Sequence, residues 1–164
     1  MSQLPLEDIT AEGYGGPGVT QFNVFLDNRV GKLRDLLEAF DGQALMVVAL
    51  SVIDSADHAV VRVITSKADL GRHLLQRHHL PFSETTVLVV EMAKGQTLSK
   101  LCKAMLAAEI NIHYAYPLMI RPHGYPTIAL HTDEPEVACD VLRRKMFILL
   151  GEDDMRDSSD NLDR

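Results

Sequence analysis

Residues 22–33 read FNVFLDNRVGKL, and about 65 residues later, a period longer than that of helical solenoid arrays, residues 86–98 read TVLVVEMAKGQTL. Each stretch is an apolar strand running into a glycine and then a helix. The echo continues into the helices, where Leu33, Leu36, Leu37 and Phe40 match Leu98, Leu101, Cys102 and Met105. Both sets fall at i, i+3, i+4 and i+7, which is one apolar helix face. The chain therefore contains two small units of one kind.

Outward from these two stretches the elements alternate. Residues 21–26 form a strand, and a helix over 30–40 ends at Asp41-Gly42, where glycine can take the left-handed terminal conformation. Strands over 44–53 and 59–65 are joined by the polar turn 54–57. Ser66 followed by Asp69 three residues on matches a capping box, and Leu70, Leu74 and Leu75 give the next helix its inner face, with Pro81 marking the exit. The second copy repeats the order: a strand over 85–91, a helix over 97–108, strands over 111–120 and 127–131, and a helix opening at Pro135 after Asp133 or Glu134. Val137, Val141 and Leu142 form its buried face, and a strand over 147–150 closes the copy. The pattern is βαββαβ twice. It predicts an α+β fold of two tandem ferredoxin-like repeats, each an antiparallel sheet with its helices on one face.

The expected division is a flexible lead-in over 1–19, a first unit over 20–84, a second over 85–151, and an acidic, disordered tail over 152–164. Only residues 82–92 are available for both the last strand of the first unit and the first strand of the second. Either the last strand is very short, or one long strand bends between two sheets.

With 164 residues, each half lies near the lower size for a self-sufficient core, so the halves should stabilise each other and pack through strands. A net charge of −7 argues against a phosphate-backbone partner. The third strands, 60–65 and 127–131, carry no Phe, Tyr or Trp on which bases could stack, which argues against an RNA-recognition module. Two cysteines, Cys102 and Cys139, are too few for a disulfide framework or a zinc site and read as reduced. The cluster of Arg72, His73, Arg77, His78 and His79 lacks the i, i+4 histidine pair of a metal site and reads as a solvated helix face. No nucleophile motif, phosphate loop or metal spacing is present, so neither an enzyme nor a cofactor is expected. The N-terminus lacks the pattern of a signal peptide, and no run approaches a membrane span, which predicts a cytoplasmic protein.

Asn28-Arg29-Val30-Gly31-Lys32-Leu33 resembles the Asn-Arg-Pro-Gly-x-Leu signature of ACT domains. The segment 109–116, EINIHYAY, resembles their Gly-Ile-Asn-Ile stretch, especially as it occurs in free-standing bacterial tandem-ACT proteins. The resemblance spans about residues 20–155 and implies a regulatory module. Such a module binds an amino acid or similar small metabolite between two domains, using the loop before the first helix of one and the start of the second strand of the other. A glycine ahead of a helix lets backbone N–H groups approach a carboxylate, and an asparagine can hold an amino or carboxyl group without adding charge.

Transferred to this chain, the resemblance implies a first site of Asn28, Arg29, Val30, Gly31 and Lys32 with Asn111, Ile112 and His113. A second, weaker site would combine Met92, Lys94, Gly95 and Gln96 with Met46 and Val47, both asparagine positions being methionine. Val30 and Lys94 stand where the family prefers proline. The expected partners are an amino acid, a second copy in a homodimer, and a regulated enzyme of unknown identity, with no nucleic acid and no membrane. The competing expectation is a structural adaptor that assembles through its sheet edges without a physiological ligand.

Overall fold

The structure is a computed structural model in which residues 17–160 are described. In chain order the elements are β1 (Val19–Asp27), α1 (Lys32–Glu38), β2 (Val47–Asp54), β3 (His58–Thr65), α2 (Ala68–Arg77), β4 (Phe82–Glu91), α3 (Leu98–Ala107), β5 (Ile112–Pro117), β6 (Thr127–Thr132), α4 (Pro135–Arg144), β7 (Ile148–Leu150) and α5 (Glu152–Asp160). All strands join one antiparallel sheet of order β2-β3-β1-β4-β6-β5, with β7 beside β4.

The short supply of residues at 82–92 is met by a single strand. Residues 82–87 of β4 pair with β1, from Phe82 opposite Val24 to Val87 opposite Val19. Its remainder pairs on one edge with β6, Leu88 opposite Leu130, and on the other with β7, Val89 opposite Leu150. Strand β4 thus ends the first repeat and begins the second, and the boundary expected at 84/85 falls inside it.

Side chains alternate across a strand, so this one rod sends successive residues to two different cores. On the helix side, Phe22, Val24, Leu36, Phe40, Val61, Val63, Leu74 and Leu75 fill the core of the first repeat. Leu88, Val90, Leu101, Met105, Leu130, Leu142 and Phe147 fill that of the second. The other face holds a third cluster drawn from both repeats: Val19, Val48, Ala49, Ile64, Val87, Val89, Tyr116, Leu118, Ala129, Leu150 and Met155. A flat sheet would leave that face open to water. The sheet instead curls over it, and the Met119 N–H donates to the Val48 carbonyl at 2.8 Å, tying the residues after β5 to β2 at the opposite end of the strand order. Each large side chain removed from water there contributes about 1.5–3 kcal/mol.

Local details follow the sequence with two exceptions. Thr97 caps α3 by accepting from the Lys100 N–H at 3.1 Å, Pro135 begins α4 after Glu134, and Gly42 has φ 69° after α1. Ser66 does not cap α2, whose N-cap position is Lys67 with no side-chain cap. Its hydroxyl accepts from the Met46 N–H at 2.9 Å and its own N–H donates to the Met46 carbonyl at 2.8 Å, so it secures the start of β2. Secondly, residues 152–160, which composition marks as an unpacked tail, form α5. Met155 is fully buried in the inner cluster, and the Glu152 carboxylate accepts from the Thr20 N–H at the start of β1. The lead-in expected over 1–19 lies mostly outside the described residues. Gly71 brings α2 close to β3; a Cβ there would stand 2.6 Å from Thr65 Oγ1 and 3.1 Å from the Phe22 ring.

Candidate ligand-binding site

The loop between β1 and α1 is built around Gly31, which has φ 90° and ψ −11°. A side chain is disfavoured there by backbone conformation alone, since nothing lies within 4 Å of where a Cβ would sit. Gly95 repeats this at φ 87°, and both loops close with the same turn, Lys32 N–H to Arg29 O at 3.3 Å and Gln96 N–H to Ala93 O at 2.9 Å. Asn28 braces its own repeat: Nδ2 donates to Asp54 Oδ1 at 2.8 Å and to the Ser55 carbonyl at 3.0 Å. Arg29 pairs with Asp27 at 2.9 Å on the surface, where such a pair contributes little. Val30 is fully exposed.

Asn111 pins the start of β5 to the end of β6. Its N–H donates to Asp133 Oδ1 at 3.0 Å, and its carbonyl accepts from the Asp133 N–H at 3.2 Å. Ile112 packs on the second core, and the His113 ring lies 5.2 Å from that of His131. Each half of the first site is bonded within its own repeat: Asn28 to Asp54, Ser55 and the Asp57 carbonyl, Asn111 to Asp133, and in the strand order β4 and β6 stand between β1 and β5.

The second set is likewise divided. Met46 packs against the inner cluster, Val47 against the first repeat's core, and Met92 against the second repeat's core. Lys94 is exposed, the Gly95 carbonyl accepts from Lys100 Nζ at 2.6 Å, and Gln96 Nε2 donates to the Lys145 carbonyl at 3.1 Å.

Beside the Asn28–Lys32 loop lies a groove of about 410 Å³. Phe25, Leu26, Leu80 and Pro81 give it apolar walls, and Lys32, Asp27, Asp35, His78 and His79 give it charge of both signs and imidazoles. Only Lys32 of these was a candidate from the sequence. The α2 exit reaches the groove through a left-handed His79, φ 54°, followed by a Leu80 N–H to Leu75 carbonyl bond of 3.0 Å.

A second polar assembly sits in the seam between the repeats. Gln21 is fully buried; its Nε2 donates to Asn23 Oδ1 at 2.7 Å and to the Tyr114 hydroxyl at 2.8 Å, and its Oε1 accepts from the Tyr116 hydroxyl. Burial pushes the Tyr116 phenol well above its ordinary range. The Arg62 guanidinium lies 3.4 Å from the centroid of the Tyr114 ring, on whose plane His131 also stacks at 4.9 Å. His131 Nδ1 is buried without a described hydrogen-bond partner, and desolvation, then His113 and Arg62, hold that imidazole below its usual pKa. Nothing in the sequence marked Gln21, whose tyrosine partners Tyr114 and Tyr116 lie 93 and 95 residues further along the chain.

The family model for an ACT domain pair matches residues 18–158. The chain belongs to the ACT domain family. Its two ACT repeats share their fold with protein BT0572 from Bacteroides thetaiotaomicron, at a TM-score of 0.74 and 23% identity over 85% of this chain and 96% of that one. The regulatory subunit of aspartate kinase from Thermus thermophilus, in its ligand-free form, matches at a TM-score of 0.48 and 10% identity over 79% and 92% of the two chains. No curated protein matches the chain. ACT domains are regulatory modules, and two repeats of one kind are what the FNVFLDNRVGKL and TVLVVEMAKGQTL echo implied.

Proposed function

We propose that this ACT pair is a non-catalytic sensor of a free amino acid, and that it passes its ligand state to a partner enzyme. The observation that supports this reading best is the groove beside the Asn28–Lys32 loop. Lys32 faces the needs of an α-carboxylate, Asp27 and Asp35 those of an α-ammonium, and the apolar wall those of a side chain. A zwitterion requires both signs of charge within a few ångströms. Asn111, Ile112 and His113 do not line this groove, so on this reading their part in the site is supplied by a second copy, which makes the sensor a homodimer. The ligand shifts the protein only through a difference in its affinity for two arrangements of that dimer.

Warming the protein with each of the twenty amino acids tests the reading. A true ligand at about 100 times its dissociation constant stabilises the fold by about 2.7 kcal/mol. That response disappears in Asp35→Asn and in Asn111→Ala, and light scattering reports a dimer. No shift with any amino acid, in folded protein free of carried-over ligand, sinks the sensor. It would favour the adaptor reading, assembly through sheet edges, which rests on Val52 and Ile53, exposed on the edge strand β2.

A further inference from the structure

Duplication has copied the groove as well as the fold. In the second repeat, Met146 takes the left-handed conformation of His79, with φ 65° against 54°, and the Phe147 N–H to Leu142 carbonyl bond of 2.9 Å repeats that from Leu80 to Leu75. The resulting cavity, between α3 and the passage from α4 to β7, measures about 490 Å³, within the range of small-molecule sites. Its chemistry has diverged completely. Where the first groove carries Asp27 and Asp35, this one has Lys100, Lys103 and Lys145 around a floor of Ala104, Ala107 and Phe147, and no acidic residue lines it.

Three ammonium groups around one cavity repel each other. Acidic residues outnumber basic ones by 23 to 16, yet among the described residues no carboxylate forms an ion pair with any of the three. Two contacts hold the rim in place: Lys100 Nζ donates to the Gly95 carbonyl at 2.6 Å, and Gln96 Nε2 to the Lys145 carbonyl at 3.1 Å. A positive concavity in a protein of net charge −7 focuses potential on itself.

We propose that this lysine groove binds a small polyanion, a phosphate ester or a polycarboxylate, whose charges meet Lys100, Lys103 and Lys145 and whose carbon skeleton rests on Phe147. Lysine binds such groups as a point charge and tolerates either geometry. The site is separate from the amino-acid groove and does not depend on that reading.

Isothermal titration of inorganic pyrophosphate, and separately of citrate, into the full chain provides the test. One equivalent of at least one probe binds saturably, and the tighter of the two identifies phosphate or carboxylate as the source. Lys103→Gln and Lys145→Gln each weaken that binding at least about tenfold, the low end for a hydrogen bond to a charged group. Arg77→Gln, an exposed cation on α2 outside both grooves, leaves it unchanged. Circular dichroism confirms that the variants fold. Absence of saturable binding by both probes overturns the proposal, and so does an equal loss in Arg77→Gln, which would reduce the effect to general charge attraction.

Discussion

Replacing Met155 by alanine probes whether the acidic C-terminal segment is part of the folded body. Met155 has no exposed surface and sits among side chains from both repeats. The substitution removes Cγ, Sδ and Cε; at about 0.8 kcal/mol for each methylene-sized group the transfer loss is roughly 2.4 kcal/mol. The cavity left in the seam adds to this, bringing the expected cost to about 3–4 kcal/mol, inside the span of about 2–5 for buried Met→Ala changes. In urea, with a slope of about 1.5 kcal/mol per molar, the midpoint falls by about 2 M. Leu106→Ala, at 77% exposure on α3, is the control and stays within about 0.5 kcal/mol of wild type. If Met155→Ala matches that control, α5 does not plug the seam and the inner core is formed by the strands alone.

Gly71→Ala pushes a methyl into Thr65 and Phe22 and is expected to destabilise by about 1–3 kcal/mol in the same urea assay, despite alanine's better helix propensity. His131 has a depressed folded pKa, so its contribution is complete above the unfolded value near 6.5 and is lost as pH falls through the folded value, where the unfolded chain binds the extra proton. His131→Gln should therefore lose less stability than wild type as the pH falls below about 6.5, a difference read from melting curves taken above and below that pH.

The duplicated strand and helix patterns were legible because alternation and the i, i+3, i+4 spacing are local properties of the chain. So were the turn glycines, Gly31 and Gly95. What escaped depends on partners distant in sequence. Ser66 carries a capping signature, but the start of β2 lies beside it and uses its hydroxyl for the Met46 N–H. A single methionine among acids gives α5 no periodic face, so its burial is decided by the seam it meets. The first groove unites Lys32 with His79, which no spacing rule connects, and its histidines read as solvent-facing helix. The scarcity of residues at 82–92 was visible, and pairing decided between its two readings.

Sharing β4 means that the repeats have no linker. Tandem modules joined by a flexible tether can swing, and a ligand at one can act by reorienting the other. Here any cut between residues 82 and 91 deprives one repeat of its last strand or the other of its first. The halves are thus joined by hydrogen-bonded strand rather than by a tether, and are expected not to fold when expressed apart. On the proposed sensor reading, a signal arising at one groove would travel as a change in the coiling of a common sheet, felt at once by every strand bonded to the same rod.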